Sequence, residues 1–255
     1  MIDPSATTVP DGAPVVGDAV LDLHEEGSIG LHIVESQVAL PIELAPSPLG
    51  LLAAQRWQLV IKRLVDVVGS IVLLLLLLPI WAVTVIAIGL SSRGSALYAQ
   101  ERIGRDGKPF KMLKFRSMRV GAHEGRESVM HLNQATGPTF KINDDPRITR
   151  VGRLIRKWSI DELPQLINVV LGDMSLVGPR PPLPDEYETY DERERRRLAV
   201  TPGVTCIWQI SGRSDLDFET WVAMDLEYID TWNLRMDFGI LLGTIPAVLT
   251  ARGAY

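Results

Sequence analysis

The stretch RKWSIDELPQLINVVLGDMSLVGPRP, residues 156–181, sets two adjacent carboxylates, Asp161 and Glu162, between a basic approach and a Pro-Arg-Pro exit. Arg156 lies five residues before Asp161, and Pro179, Arg180 and Pro181 close the stretch. Leu163–Leu171 reads as a helix stopped by Gly172, with Pro164 in the first turn, where a missing N–H costs nothing. The carboxylates then sit at the helix N-terminus, where unpaired N–H groups and the dipole favour negative charge. The same location favours a bound phosphate. A nucleophile, a metal ligand and a phosphate site can share one such helix start. A structural reading competes with this one. Ser159-Ile160-Asp161-Glu162 matches a capping box, and Asp161 alone would also serve as a cap. Spacing by itself leaves both open.

Upstream, Thr149–Trp158 carries apolar residues at Val151, Leu154, Ile155 and Trp158, with Arg150, Arg153, Arg156 and Lys157 between them. That composition suits a helix lying in the plane of a membrane interface, or the surface helix of a soluble core. Further upstream, Val67–Leu90 holds 24 residues without a charge, including an unbroken leucine run from Leu73 to Leu78. About 20 apolar residues cross a bilayer, so this segment predicts membrane insertion. Pro79 lies in its middle and breaks the helix. Arg56, Lys62 and Arg63 precede the segment and Arg93 follows it, so the positive-inside rule draws both ends to the cytoplasm. A helix–break–helix that enters and leaves by one face satisfies both observations; a kinked single span is the alternative. Lys62 and Asp66 are spaced to pair on one helix face.

Between these elements, Arg93–Arg119 holds eight basic residues against Glu101 and Asp106. Gly104 and Gly107 mark a turn, and Lys108–Met118 reads as a strand. Such a patch next to a membrane segment binds anionic head groups or a diphosphate, unless it is merely a solvated face. Val120–Asn133 reads as a short polar helix and 135–147 as a loop. Downstream, Pro184–Leu198 reads as a solvated charged helix, Val204–Ile210 as a short strand and Asp217–Trp232 as an amphipathic helix. Phe238–Thr250 is uncharged but too short to span.

The net charge of −5 is unevenly spread. The first 55 residues carry eight acids and neither Lys nor Arg, which leaves a net +3 on the rest. Residues 1–50 read as a loosely ordered acidic tail, with a weak strand signal in Ile29–Leu44 and no secretory signal. The single Cys206 excludes an internal disulfide and a cysteine zinc site, and the four histidines lack metal-ligand spacing.

With these motifs in view, the chain from about Gln55 to Tyr255 resembles the bacterial sugar transferases, monotopic polyprenyl-phosphate phosphoglycosyl transferases. The resemblance rests on ERIGRDGKPFKMLKFRSM (101–118), GPTFKINDDPRITRVGRLIRKWSIDELPQLINVVLGDMSLVGPRP (137–181), TPGVTCIWQISGR (201–213) and the terminal GAY (253–255). It implies transfer of a sugar-1-phosphate from a UDP-sugar to a polyprenyl (undecaprenyl) phosphate with release of UMP, in a ping-pong, Mg²⁺-dependent reaction. On that pattern Asp161 is nucleophile and metal ligand, and Glu162 is its partner carboxylate. Arg156 binds phosphate, and Pro179, Arg180 and Pro181 lie near the nucleotide. A carboxylate is ionised at neutral pH, and a helix N-terminus should lower Asp161 further still. The chain departs from the pattern at Leu78, where some relatives place Ser before the breaking Pro, and at Cys206, where Gly is usual. Larger relatives carry additional N-terminal membrane helices, so the minimal catalytic form is expected here.

Together these readings predict an α+β, mostly helical chain. An acidic tail (1–54) precedes a re-entrant membrane helix (55–92) and a small cytoplasmic catalytic domain with short strands and interfacial amphipathic helices (93–255). The expected partners are a UDP-sugar, a polyprenyl phosphate and membrane lipids, with no nucleic acid; homo-oligomerisation stays open. The expected location is the bacterial inner membrane, cytoplasmic face. The competing function is a non-enzymatic membrane adaptor, which leaves the dyad, Arg156 and Pro-Arg-Pro unused. A kinase or nucleotidyl transferase is disfavoured because no G-x-x-x-x-G-K-[ST] loop is present.

Overall fold

The computed structural model describes residues 19–23, 29–33, 56–122, 124–134, 137–140, 142, 144–212 and 216–250. Residues 1–45 make one unit. In it β1 (Ala19–Leu23) pairs antiparallel with β2 (Ile29–Ile33), Ala19 opposite Ile33 and Leu23 opposite Ile29. The strand expected within Ile29–Leu44 falls on Ile29–Ile33; the rest of that expectation lies outside the described residues. The second unit, residues 46–255, carries everything that follows.

Its first elements are α1 (Arg56–Leu76) and α2 (Leu78–Ser91), joined at Leu77 with a bend of 62°. Pro79 sits at the start of α2, and its absent N–H interrupts the ladder there. Neither helix alone is long and apolar enough to cross a membrane, but the bent pair together meets that length and composition. The pair is two-faced. Asp66, Ser70, Thr84 and Ile88 are buried against the protein, whereas Val60, Leu76 and Leu90 are 69%, 70% and 85% exposed.

The buried face is fastened by charge rather than by apolar area alone. Asp66 Oδ1 accepts from Ser175 Oγ at 3.0 Å and from the Leu176 N–H at 2.9 Å. Lys62 Nζ donates to the Val177 carbonyl at 2.9 Å and pairs with Asp237 Oδ2 at 2.7 Å. Arg63 donates to the carbonyls of Val169 and Val170 at 2.6 and 3.0 Å. The local Lys62–Asp66 pair that helix spacing suggests is therefore replaced by long-range bonds, because both side chains face a protein surface and not solvent.

The basic stretch folds as an antiparallel hairpin of β3 (Leu97–Ile103) and β4 (Pro109–Phe115), turning through Arg105–Gly107. Arg116, just past β4, donates to the carbonyls of Arg93 and Ser92 at 2.8 and 3.0 Å and holds the exit from α2. A 3₁₀ segment, Glu124–Leu132, stands where a short helix was expected. Beyond the loop come α3 (Arg150–Lys157) and α4 (Gln165–Leu171). Asn168 on α4 accepts from the Leu113 N–H and donates to the Lys111 carbonyl, at 2.9 and 2.8 Å, and so locks α4 to β4. Gly172 ends α4 with φ 100°, and its N–H reaches the carbonyls of Asn168 and Val169.

A second small sheet pairs β5 (Ser175–Val177) in parallel with β6 (Gly203–Thr205). Between them, the single charged helix expected over Pro184–Leu198 is instead α5 (Pro184–Glu188), α6 (Glu192–Arg195) and a 3₁₀ turn, Arg196–Ala199. It is not solvated throughout: Arg197 is buried and bonded to Asp225 Oδ2 and the Tyr190 hydroxyl, each at 2.8 Å. The strand expected over Val204–Ile210 stops at Thr205, and α7 (Ile207–Ser211) follows, placing Trp208 in the core. The chain continues through α8 (Phe218–Thr231), capped by Asp217, and α9 (Leu234–Thr250). The core gathers Met112, Leu166, Val169, Val177, Val222 and Ile240 from five elements. The fold is mostly helical with small sheets.

Candidate active site

Asp161 and Glu162 lie on a 3₁₀ turn, Ile160–Glu162, between α3 and α4. The approach is tightly set. Thr149 caps α3 by accepting from the Gly152 N–H at 2.8 Å, and a Cβ on Gly152 would collide with the Ser117 carbonyl. Trp158 ends α3, and Ser159 takes a left-handed conformation, φ 53°, that turns the chain. The capping box does not form. Ser159 makes no side-chain cap bond; the Glu162 N–H instead meets the Ser159 carbonyl at 3.2 Å. Pro164 is the N-cap of α4, so the dyad precedes that helix and neither carboxylate caps it.

Around the dyad is a cavity of about 1230 Å³. Its charged walls include Asp161, Glu162, Arg156, Arg180, Lys114 and Arg102. Arg156 comes from the last turn of α3, and Lys114 from β4, with Nζ 3.5 Å from Glu162 Oε1. Pro179 and Pro181 are buried and do not line the cavity; they act through their backbone. The Pro179 carbonyl accepts from the Gly203 N–H at 2.9 Å, and the Pro181 carbonyl accepts from Arg102 Nη1 at 2.9 Å. The Arg180 side chain, held between them, has no hydrogen-bond partner among the described residues. Four of the six residues singled out in the sequence, Asp161, Glu162, Arg156 and Arg180, thus meet in one cavity.

The electrostatics split the dyad. Burial, then the neighbouring Glu162 charge, push Asp161 up to about 6, against the pull of Lys114 and Arg156. The lowered value expected from a helix N-terminus is not found, because the buried turn withdraws the carboxylate from water ahead of the helix. For Glu162, burial works in the same upward direction, but Lys114 and Arg180 outweigh it and hold Glu162 below its ordinary range. Burial lowers Lys114 to about 8, with Glu162 opposing the shift. Arg102 comes down to about 9 through burial and the nearby Arg180. Crowded cations with few carboxylates describe a site built for anions.

Lys114 and Arg102 were legible only as members of a basic stretch. The available signal for Lys114 was its spacing of two residues from Arg116 in a stretch read as a strand; both line the cavity.

The match to the family of bacterial sugar transferases covers residues 57–251, and the chain belongs to that family. It is 47% identical over 198 residues to galactosyl transferase CpsE of Streptococcus agalactiae, covering 77% of this chain and 44% of that protein. To the exopolysaccharide production protein ExoY of Rhizobium meliloti it is 43% identical over 198 residues, covering 76% and 88%. To the undecaprenyl-phosphate galactose phosphotransferase of Salmonella typhimurium it is 42% identical over 206 residues, covering 79% and 43%. The chain thus spans less than half of the first and third relatives and most of the second.

Proposed function

We propose that the protein transfers a sugar-1-phosphate from a UDP-sugar to a polyprenyl phosphate, releasing UMP, in the first membrane step of exopolysaccharide synthesis. The observation that carries this reading is the pair of buried Asp161 and partly buried Glu162 in a cation-walled cavity that also touches Leu73 and Leu77 at the break of an apolar helix pair. An ionic donor and a lipid acceptor need those two surroundings to adjoin. The relatives' names, a galactosyl transferase and an undecaprenyl-phosphate galactose phosphotransferase, support the same reading.

In the first step an Asp161 carboxylate oxygen attacks the phosphorus that bears the sugar. The bond from that phosphorus to the bridging oxygen breaks, and UMP leaves with the electron pair. Asp161 then carries the phosphosugar as an acyl phosphate. In the second step an oxygen of the polyprenyl phosphate attacks the same phosphorus, the bond to Asp161 breaks, and the carboxylate is restored. A carboxylate nucleophile divides one difficult transfer into two. Arg156 and Arg180 offset the charge that gathers on the phosphates. Glu162, charged and held by Lys114, sets the field around the nucleophile. The acceptor's second pKa is about 6, so it needs little help from a base.

The donor set suits Mg²⁺. Asp161 offers hard oxygens without a competing side-chain partner among the described residues, and Mg²⁺ is commonly held by one or two carboxylates plus substrate phosphates. Bound there, Mg²⁺ would supply positive charge that favours ionised Asp161 and screens the diphosphate. The helix pair is read as re-entrant on the cytoplasmic face of the inner membrane, its exposed apolar side in lipid. The reading is tested by UMP release from a panel of UDP-sugars, with undecaprenyl phosphate and Mg²⁺, by the protein in lipid nanodiscs. Release with no member of the panel would overturn it.

A further inference from the structure

We propose that the isoprenoid chain of the acceptor lies in a groove between the bend of α1–α2 and the inner face of α9. The inference rests on the transfer reaction above and assigns its lipid tail. The cavity does not end at the charged residues. Its walls continue through Leu73 and Leu77 at the bend and through Leu241, Ile245, Val248 and Leu249 on α9. Residues 238–250 of α9 carry no charge. At about 1230 Å³ the space exceeds the roughly 300–1,000 Å³ that encloses a drug-sized ligand, so it has room for more than the donor. Ile240 packs α9 into the core, while Ile245 and Leu249 stay 57% and 65% exposed, so the groove is open along its length.

The occupant follows from continuity. One end of the cavity holds cations that suit a phosphate, and the aliphatic walls belong to the same space. A hydrocarbon chain packs against aliphatic walls, which offer no charge for a second anion. A molecule with a phosphate head and a branched hydrocarbon tail satisfies both ends at once. Leu73 and Leu77, one helical turn apart, present one face at the end of α1, and the Leu77 N–H still bonds the Leu73 carbonyl at 2.9 Å before the chain bends into α2.

The test narrows the groove. Ile245→Trp and Val248→Trp fill it from α9; Leu242→Trp makes a similar change on the same helix at a residue that does not line the cavity. The full chain in nanodiscs is assayed by UMP release with undecaprenyl phosphate and with the short geranyl phosphate. The two groove variants should raise the ratio of KM for undecaprenyl to KM for geranyl phosphate by about tenfold or more, equivalent to about two methylene groups losing their burial. Leu242→Trp should keep the wild-type ratio. An unchanged ratio in both groove variants, or an equal change in Leu242→Trp, overturns the assignment in favour of bulk lipid contact or plain packing. The geranyl phosphate KM shows that each variant is folded. Binding of undecaprenyl phosphate measured by native mass spectrometry reads the groove even if the wild type releases no UMP, so the two readings fail separately.

Discussion

Lys114 Nζ stands 3.5 Å from Glu162 Oε1, while Asp161, one residue earlier, has no ion-pair partner among the described residues. Both carboxylates line the cavity, but one cation ties down only Glu162. The proposed mechanism gives the two carboxylates different work: Glu162 carries a fixed charge, and Asp161 is the nucleophile.

Lys114→Met should therefore damage both halves. Glu162 loses the partner that holds it ionised, and Asp161 loses the first of the cations that offset its burial. We expect kcat/KM to fall about 10- to 100-fold, equivalent to about 1.4–2.7 kcal/mol in the transition state. On the proposed mechanism attack requires ionised Asp161, so wild-type activity should decline at acid pH, with a midpoint below about 6 because bound Mg²⁺ favours the ionised form. In Lys114→Met the decline should begin at higher pH. A pH–rate profile that keeps its acid limb in the variant would contradict the pairing.

Asp161→Asn should lose activity and gain stability. The folded-state pKa lies above the unfolded one, 3.8 against about 6. Such a group favours the fold fully below the unfolded value, and that contribution is lost as pH rises through about 6. At neutral pH the ionised, buried Asp161 is thus a cost, which a neutral amide of the same shape removes. The gain should be of the order of 1–3 kcal/mol, a rise of several degrees in Tm. Thermal denaturation at pH 7 checks it, and the difference should vanish near pH 4. A lower Tm for the variant would contradict this account of the site.

The anchoring of α1 by Asp66 separates shape from charge. Both of its hydrogen bonds go to Oδ1, from Ser175 Oγ and from the Leu176 N–H. Asp66→Asn keeps that acceptor and should cost less than about 1 kcal/mol, whereas Asp66→Ala leaves two buried donors unsatisfied and should cost about 2–4 kcal/mol. Denaturant titration of both variants in the same detergent measures the difference. Equal losses would mean that the charge, and not the acceptor, holds the helix.

For the bent pair, cysteines placed at Arg56 and Ser95 bracket the apolar run. An impermeant thiol reagent should label both from the same side of the membrane. The native Cys206 is buried and contributes little background. Labelling from opposite sides would replace the re-entrant reading with a kinked span.

Much of the local structure was legible because local chemistry sets it. Pro79 breaks an apolar run, Gly104 and Gly107 turn a hairpin, Gly172 stops α4 and Asp217 caps α8, each through its own backbone preference or side chain. The site was legible where the chain itself brings groups together, as with Arg156, Asp161 and Glu162. What escaped depends on distant contacts. Asp66 looked like the partner of Lys62 until Ser175 and Leu176 were seen to face it, and Arg197 looked solvated until Asp225 was found beside it. Asp161 looked like a helix-start carboxylate. Ser159 turning left-handed sets the dyad one step before that helix, and burial then governs its charge.

The central claim is that Asp161 becomes covalently bound to the phosphosugar. Incubation of the protein in nanodiscs with a UDP-sugar and Mg²⁺, but without acceptor, followed by peptide mass spectrometry, tests it most directly. The account predicts a sugar-phosphate adduct on the peptide containing Asp161, removed by added undecaprenyl phosphate and absent from Asp161→Asn, which also releases no UMP. Full UMP release by Asp161→Asn, or an adduct on any other residue, would contradict it.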